Sequence, residues 1–278
     1  MQQSKAVCVI FLLTIVSLIL IPLQWLAMKA GHPVQRQLPY LWHRIATRLV
    51  GIRITQKGKP ATHRPLLIVA NHASWVDITV LGAVMPLSFI AKSEVEGWPI
   101  LGLFAKLQRT VFVNRTRRTE TGAVASQIAG RMASGDAMVL FAEGTSNDGN
   151  RVLPFRSALL GAATKALENG APVEVQPLSI VYARQHGIPL DRRTRARIAW
   201  YGDMELGGHL WGVFCNGAID VELTWGEPVE VSPGTDRKAL TARLHADVER
   251  MTITGLTGRE PLDPEAGEAD VPASETAQ

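Results

Sequence analysis

Hydrophobic and polar positions alternate in blocks along this chain, and the longest apolar block lies near its amino-terminal end. Residues 6–28 contain no charge, and Lys5 and Lys29 flank them. A helix of these 23 residues can cross a hydrocarbon core of about 30 Å, since each residue adds about 1.5 Å. The pattern therefore predicts an N-terminal membrane helix within residues 1–30.

A cleaved signal peptide is the alternative interpretation of this block. Signal peptides have a shorter apolar region and a small-residue cleavage site, whereas Pro22 and Gln24 interrupt this run and Met28-Lys29 follows it. A retained helix fits better, and it either crosses the membrane or lies shallowly within it. Basic residues cluster after the run, so we expect the body of the protein at the cytoplasmic face of the cell inner membrane.

A second apolar pattern has helical spacing. Within residues 38–52, one face carries Leu38, Leu41, Trp42, Ile45, Leu49 and Ile52, and the other carries His43, Arg44, Thr47 and Arg48. An amphipathic helix on the membrane surface and a core-facing helix both give this pattern, so both interpretations stay open. We assign residues 31–64 to an amphipathic interfacial helix and a linker.

From residue 65 onward, short apolar runs alternate with helix-like segments. We predict strands at 66–70, 88–91, 110–113, 137–141, 173–182, 196–201 and 218–225, and helices at 75–84, 119–134, 156–169 and 235–252. This alternation is typical of an α/β domain with a mixed, largely parallel sheet flanked by helices. The domain is assigned to residues 65–256, and the acidic tail 257–278 is expected to be disordered.

Charge and cysteine content narrow the function classes. The tail beyond Arg259 holds six of the 25 acidic residues and no basic one, so residues 1–259 carry a formal charge of +10. A basic body behind an apolar helix suits an anionic membrane surface, and no nucleic-acid-binding module is recognisable. Cys8 and Cys215 are too few for a disulfide framework or a metal cluster, which agrees with a reducing cytosolic environment.

Polar residues interrupt the apolar pattern where the predicted strand 66–70 ends. Asn71-His72 follow the strand, and Asp77 comes five residues after His72. Positions five apart lie about 140° apart on a straight helix, so these two can pair only if His72 lies in the turn and Asp77 in the first helical turn. Asp77 would then fix one imidazole tautomer and leave the second nitrogen as a base. Considered alone, the pattern is explained at least as well by a buried structural pair.

A second polar cluster, Glu143-Gly144-Thr145, follows the predicted strand 137–141. Gly144 allows a ligand to approach the backbone closely. The carboxyl ends of parallel strands are where an α/β sheet places its site. Two polar clusters at two such ends therefore favour a catalytic interpretation over a structural one.

Taken together, these segments resemble the glycerolipid acyltransferases, the family of 1-acylglycerol-3-phosphate acyltransferases. NHASWVD is similar to the family's Asn-His-x4-Asp motif, and FAEGT to its Phe-Pro-Glu-Gly-Thr block, with Ala142 at the proline position. FIAKSEVEGWPILG, VFVNR and VEVQPLSI are similar to its other blocks. The resemblance covers roughly residues 65–182, in order and with suitable spacing.

The resemblance implies a reaction and a role for the His-x4-Asp motif. His72 would be the general base for the hydroxyl of a lyso-lipid, which attacks the thioester of an acyl carrier protein or coenzyme A adduct. Asp77 would orient His72 and stabilise the imidazolium, as the acid does in a serine triad. No cofactor or metal is implied, because the thioester is already activated.

The resemblance also implies acceptor-binding residues. Glu143, Gly144 and Thr145 would position the acceptor, and Lys92 and Arg115 would hold anionic groups. Arg115 lies in the basic run NRTRR, for which a solvated surface is the alternative interpretation.

After Thr145 the sequence departs from the family pattern. The family continues with an arginine thought to hold the acceptor's phosphate, whereas this chain has Ser146 there and a carboxylate at Asp148. A carboxylate repels phosphate and attracts ammonium, and EGTSNDGNRVLPFRSAL resembles the lyso-ornithine lipid O-acyltransferase branch. We therefore expect lyso-ornithine lipid as acceptor. Arg151 and Arg156 could serve a phosphate, so phosphatidate formation from 1-acylglycerol-3-phosphate is the alternative.

Two other function classes explain less of the sequence. A lipid hydrolase could use Ser74 as nucleophile, but no G-x-S-x-G elbow surrounds it. A non-catalytic membrane-binding protein would need only the apolar helix and the basic surface. That class leaves the combination of His72, Asp77 and Glu143 unexplained.

Overall fold

Two uniformly apolar runs beyond the amino-terminal helix form adjacent parallel strands, Leu66–Ala70 and Ala137–Phe141, which are buried at every position. Such continuous runs are typical of parallel strands that are covered on both faces. The computed structural model from which this fold is taken describes residues 2–113, 121–164, 173–232 and 234–260.

The strands in chain order are β1 (Ile52–Lys57), β2 (Leu66–Ala70), β3 (Ser88–Lys92), β4 (Val111–Val113), β5 (Ala137–Phe141), β6 (Val173–Gln185), β7 (Ile188–Pro189), β8 (Ile219–Trp225) and β9 (Val229–Val231). The helices are α1 (Gln2–Lys29), α2 (Gln37–Val50), α3 (Val76–Gly82), α4 (Leu101–Leu107), α5 (Thr121–Ala133), α6 (Ser157–Thr164), α7 (Arg192–Arg195), α8 (Leu206–Asn216) and α9 (Arg237–Thr257). Short 3-10 helices span Pro33–Arg36 and Ser93–Gly97.

One mixed sheet contains all of these strands, in the order β1-β8-β6-β2-β5-β3-β4, with β7 and β9 paired to β6. β6, β2, β5, β3 and β4 are parallel to one another, whereas β8 runs antiparallel to β6. The predicted mixed, largely parallel sheet flanked by helices is thus confirmed. β2, β3 and β5 end at the same edge of the sheet, which we call the site edge.

Helices cover both faces of the sheet. Side chains from α1, α2, α3 and α8 contribute to one core cluster, and side chains from α5, α6 and α9 contribute to the other. The strand–helix alternation read from the sequence therefore builds two apolar layers around the central strands. The strands of the site edge are rigid supports for the loops that follow them.

Most predicted elements are present, with ends shifted by a few residues, but the strand predicted at 196–201 is wrong. That segment follows α7 and forms turns, in which Ile198 and Ala199 donate backbone hydrogen bonds to Arg195 O. Both residues are buried in the core. A loop that buries apolar side chains gave the same local pattern as a strand.

Other elements were not predicted. Residues 52–57, which sequence analysis assigns to a linker, form β1, which pairs in parallel with β8. Helices α4 and α8 and strand β9 were also missed. Residues 119–120, 165–169 and 261–278, where parts of two predicted helices and of the tail fall, lie outside the described residues.

Helix α2 packs on the domain, but not through the whole of the apolar stripe predicted at 38–52, since Leu41 in that stripe is 43% exposed. A position of this stripe on the membrane surface stays a prediction. α2 ends at Val50, because Gly51 adopts φ +85°, and it packs against α1, α3 and β1. His43 and Thr47, assigned to the polar face, are buried. His43 fits because Gly82 of α3 has no side chain: a Cβ there would lie 2.2 Å from the imidazole.

Candidate active site

An asparagine side chain ends β2 and extends the sheet. Asn71 donates through Nδ2 to Ile180 O at 2.9 Å, and its Oδ1 accepts from Ile180 N at 2.8 Å. These two bonds continue the β2–β6 ladder through a side chain instead of the backbone. The chain can therefore turn away from the sheet at His72 while its strand end stays fixed.

His72 and Asp77 meet as the sequence predicts, with His72 in the turn and Asp77 in the first turn of α3. His72 Nδ1 lies 2.8 Å from Asp77 Oδ2. A carboxylate oxygen can only accept here, so the imidazole proton is assigned to Nδ1 and Nε2 keeps its lone pair. The His72 side chain is 20% exposed, whereas the Asp77 side chain has no exposed surface. The pair has the arrangement that a general base requires.

Three further donors surround the Asp77 carboxylate. Oδ2 also accepts from the backbone N–H groups of Ala73 at 2.8 Å and Ser74 at 3.0 Å, and Oδ1 accepts from the hydroxyl of Tyr182. Burial, followed by the charge of Asp77, raises the pKa of Tyr182 well above its usual value, so the phenol remains a donor. Asp77 is thus a fixed acceptor that holds the orientation of His72.

Sequence analysis missed Tyr182, which lies in β6. The available signal was one phenol hydroxyl, that of Tyr182, directly after the stretch from Leu178 to Val181. Ser179 is the only polar residue in that stretch. Its partner could not be inferred, because 105 residues separate Tyr182 from Asp77. Only the pairing of β2 with β6 brings the two together.

The last residue of β5 supports the imidazole. The ring of Phe141 stacks on the ring of His72 with centroids 4.0 Å apart and planes inclined by 16°. Phe89 of β3 stacks on Phe141 in turn, at 6.1 Å. The aromatic column fixes the plane of the imidazole from the neighbouring strands.

Glu143 has a different role from the acceptor contact that the sequence suggests. Its Oε1 accepts from His72 N at 2.8 Å, and its Oε2 accepts from Asn147 Nδ2 at 2.5 Å and Leu153 N at 3.1 Å. The residue is 1% exposed. Burial raises the pKa of Glu143 to about 7, against the opposing effect of these hydrogen bonds. The carboxyl group ties the loop after β2 to the loop after β5, so any effect on the acceptor is indirect.

The next residues of the β5 loop form the surface beside the dyad. Gly144 adopts φ +73°, a conformation that favours glycine. Thr145 is exposed and Ser146 is partly exposed. Asn147 N donates to His72 O at 3.0 Å, so this loop is attached directly to the base-bearing turn.

Asp148 remains partly exposed in the same loop. Its carboxylate accepts from Asn150 N and from Asn150 Nδ2, both at 3.1 Å. Asn150 is held in turn by Arg195, whose Nη1 donates to Asn150 Oδ1 at 2.6 Å and whose Nε donates to Tyr182 O at 3.1 Å. The structure therefore brings Asp148 to the site edge, on a loop fixed to the strand that holds Tyr182.

The remaining predicted binding residues lie further away or cannot be placed. Lys92 is exposed at the end of β3, two strands from β2, which corresponds to about 10 Å across the sheet. Arg115 lies outside the described residues. Ser74 has no exposed surface and its N–H is bonded to Asp77, so the hydrolase interpretation loses its nucleophile. Within the described ranges, no group of three or more His, Cys, Asp or Glu side chains is arranged to hold a metal ion.

Comparison with known proteins places the dyad in a family. Residues 51–181 match the sequence model of the family described as Acyltransferase. A lyso-ornithine lipid O-acyltransferase of Brucella abortus is 53% identical over 246 residues, which is 88% of this chain and 92% of that protein. The chain belongs to the acyltransferase family.

Two more comparisons extend this result. The lyso-ornithine lipid O-acyltransferase of Rhizobium meliloti is 42% identical to this acyltransferase over 250 residues, 89% of this chain and 86% of that one. The crystal structure of the 1-acyl-sn-glycerophosphate acyltransferase PlsC from Thermotoga maritima has a TM-score of 0.59 and 20% identity, covering 94% of this chain and 100% of that chain. That similarity shows a shared fold.

The dyad makes a direct prediction for catalysis. Replacing His72 by alanine should lower kcat by roughly 10² to 10⁴, the usual contribution of a general base. Tm should fall but the protein should stay folded, because the buried Asp77 carboxylate loses one donor and keeps the other three. Asp77→Asn should also lower kcat, since the amide no longer fixes the Nδ1–H tautomer. Acyl transfer with single-turnover kinetics is the measurement. Near-normal turnover in His72→Ala would contradict this role.

Glu143→Gln tests whether the buried carboxyl group supports the site or touches the acceptor. The amide places a donor against the existing donors, which costs roughly 1–3 kcal/mol, so Tm and kcat should fall while KM for the acceptor stays within about twofold. Because the folded state holds the Glu143 proton more tightly, wild type should lose stability relative to the variant as pH rises from 4.5 to about 7.

Glu174→Gln is the control for this prediction, because the Glu174 carboxylate pairs with the exposed imidazole of His63 and interacts electrostatically with Arg64. Its Tm should stay close to that of wild type. An unchanged Tm with a raised acceptor KM in Glu143→Gln would return Glu143 to direct acceptor binding.

Proposed function

We propose that this acyltransferase transfers a fatty acyl group from an acyl thioester to the hydroxyl of lyso-ornithine lipid. One observation carries the proposal: the loop with Ser146 and Asp148 is hydrogen-bonded to the residue that bears the base, through Asn147 N and His72 O at 3.0 Å. An acceptor whose hydroxyl reaches His72 therefore brings its headgroup close to this loop. The names of the two similar relatives support the same acceptor.

The reaction follows from the geometry of the dyad. The acceptor oxygen attacks the thioester carbonyl carbon while His72 Nε2 takes the hydroxyl proton, and Asp77 stabilises the resulting imidazolium. The tetrahedral intermediate then collapses, the carbon–sulfur bond breaks, and the thiolate takes the proton back from His72. An ester and a free thiol are formed. The thioester supplies the activation, so the reaction uses an acyl carrier protein or coenzyme A adduct as co-substrate and needs no cofactor.

The charge of the loop selects the headgroup. Asp148 interacts electrostatically with Arg195, but the Arg195 guanidinium donates to Asn150, Tyr182 and Leu190. A carboxylate retained beside the acceptor attracts the ammonium group of an ornithine headgroup and repels a phosphate. Ser146 stands where the family pattern has a cation. The phosphate-accepting alternative would have to rely on Arg151 and Arg156, both of which are exposed.

The placement of α1 supports attachment to the membrane from one side. Lys5 Nζ lies 3.4 Å from Val50 O and from Asn216 O, and Gln24 Nε2 donates to Leu107 O at 2.7 Å. The helix is therefore tied to the domain near both of its ends. α1 is long and apolar enough to cross a membrane, but a crossing would carry the attached domain into the hydrocarbon.

The outer face of α1 suits a shallow position in the bilayer. Large apolar side chains are exposed along it, among them Val7, Phe11, Leu18, Ile19 and Leu26. We place this face in the cytoplasmic leaflet of the inner membrane, with the basic domain next to anionic lipid headgroups. A lyso-lipid can then reach the dyad without leaving the membrane surface.

An acceptor panel tests the proposed headgroup. Purified enzyme in detergent should acylate lyso-ornithine lipid at least tenfold more efficiently, in kcat/KM, than 1-acylglycerol-3-phosphate. Asp148→Asn keeps an oxygen acceptor for the Asn150 N–H but removes the charge, and it should reduce this preference by roughly tenfold, a change of 1.4 kcal/mol. Adding Ser146→Arg to this variant should shift the acceptor preference further toward 1-acylglycerol-3-phosphate. If wild type prefers the phosphate acceptor and Arg151→Ala or Arg156→Ala removes that preference, the enzyme forms phosphatidate.

A single charge on the outer face of α1 tests the membrane placement. Leu18 is 68% exposed, so Leu18→Glu should leave folding intact but weaken binding to anionic liposomes at least tenfold, because a charge in hydrocarbon costs about 2.5–3.5 kcal/mol. Ile253→Glu on α9, at a site with 38% exposure, is the control and should bind like wild type. Equal liposome binding by both variants in a flotation assay would remove α1 from the membrane contact.

A further inference from the structure

An arginine-rich segment beside the site edge has no part in the reaction described above. Residues 184–197 contain five arginines and one carboxylate, that of Asp191. Asp191 uses its carboxylate to cap α7, accepting from Arg193 N at 2.9 Å and Thr194 N at 2.7 Å. Within the described part of the chain, no ion pair within 4.0 Å engages the exposed side chains of Arg192, Arg193 and Arg197.

This segment and the residues just after it are hydrogen-bonded to the loops of the site. Trp200 N donates to Ala73 O at 2.8 Å, next to His72. Asn150 of the acceptor loop donates through Nδ2 to Arg192 O at 3.0 Å. Beneath the exposed arginines, the buried Arg195 donates to the backbone of Tyr182, the residue that bonds Asp77. The segment that carries the exposed arginines is thus connected to the dyad through Arg195 and Tyr182.

Two neighbouring residues enlarge the exposed surface. Arg151 is exposed and directly follows Asn150. Ile188 is 69% exposed in the hairpin that joins β6 to β7, just ahead of α7. We call Arg151, Ile188, Arg192, Arg193 and Arg197 the α7 surface. It combines several cations with an apolar side chain, a composition typical of protein interfaces in which arginine is enriched.

We propose that the α7 surface docks the acyl carrier protein that delivers the fatty acyl thioester. The inference rests on the proposed function, since it names the donor for the same site. Acyl carrier proteins are small and acidic, and they present their thioester on a long flexible arm. A carrier bound at the α7 surface can extend this arm past Trp200 and Ala73 to His72, while the lyso-lipid reaches the dyad from the membrane.

The form of the surface favours a protein over coenzyme A or the bilayer. Its arginines are distributed over α7, the loop that follows α7 and the loop after β5, which fits an extended acidic partner better than the few phosphates of a nucleotide. The membrane contact is provided by the apolar outer face of α1. Complementary charge also accelerates association, and it makes binding sensitive to salt.

Charge reversal on α7 tests the docking surface. In the full-length enzyme, Arg192→Glu with Arg193→Glu should raise KM for palmitoyl-acyl carrier protein roughly tenfold or more, with kcat changed by less than about twofold. Increasing salt should raise KM for wild type much more than for the variant. Palmitoyl-coenzyme A and palmitoyl-pantetheine serve as donors without the protein, and their KM values should not change.

The chain supplies a matched control. Arg237 and Lys238 follow the capping residue Asp236 at the start of α9, just as Arg192 and Arg193 follow Asp191. Both are exposed, and they follow β9, which pairs with the amino-terminal end of β6. Arg237→Glu with Lys238→Glu carries the same change of charge but should leave every KM as in wild type.

Several results would overturn the assignment. An unchanged KM for the carrier protein removes the docking role, and so does a wild-type enzyme that accepts only palmitoyl-coenzyme A. An equal rise with palmitoyl-coenzyme A makes the surface a phosphate site, and weaker liposome flotation makes it a membrane contact. Failure of the proposed function looks different, since wild type would then not acylate lyso-ornithine lipid with any donor. Binding of the carrier protein to immobilised enzyme, measured without acceptor, separates the two failures.

Discussion

The carboxylate of Asp77 has no exposed surface, and the structure around it provides the donors that such burial requires. Removing a carboxylate from water costs several kcal/mol, and hydrogen bonds to a charged group each return roughly 1.5–3 kcal/mol. Three of its four donors belong to the consecutive residues His72, Ala73 and Ser74, and the fourth belongs to Tyr182. The requirement to satisfy one buried charge therefore fixes both the turn after β2 and the orientation of the His72 imidazole. Folding and the proposed catalysis depend here on the same hydrogen bonds.

A second buried carboxyl group repeats this arrangement on the next strand. Glu143 follows β5 as His72 follows β2, and its oxygens accept from His72 N, Asn147 Nδ2 and Leu153 N. Asp77 thus organises the loop that bears the base, and Glu143 joins that loop to the one that faces the acceptor. Both carboxyl groups are at the carboxyl ends of parallel strands, where loops leave the sheet and lose their ladder partners. The carboxyl groups of Asp77 and Glu143 replace the missing backbone hydrogen-bond partners. The His72 side chain, which lies in the loop that both groups hold, stays partly exposed.

The sequence was sufficient for the parts of this structure that depend on local patterns. Continuous apolar runs gave β2 and β5, and the turn-to-helix spacing gave the meeting of His72 and Asp77. It failed where a side chain's environment is set by distant residues. The carboxylate of Glu143 was assigned to the acceptor, because the sequence does not show that hydrogen-bond donors from two separate loops meet at this side chain. His43 was assigned to a polar face, because the sequence does not show that Gly82, 39 positions away, leaves space to bury the imidazole. Residues 196–201 were assigned to a strand because a loop that fills a core has no local signature.

The proposed membrane attachment and the proposed carrier docking impose opposite requirements on the site edge, and the order of elements satisfies both. The acceptor must arrive from the bilayer, which requires an apolar surface, whereas an acidic carrier must arrive from water, which requires cations. The consecutive helices α1 and α2 pack against each other, and they also contact α8 and α3 on one face of the sheet. α7 instead follows the β6–β7 hairpin, where β6 continues past the end of β2. The long β6 thereby separates the two approaches: its residue Tyr182 holds the base, and the chain beyond it carries the arginines. A shorter β6 would leave neither Tyr182 at Asp77 nor the α7 surface beside the catalytic loop, so the length of this one strand links acceptor, base and donor.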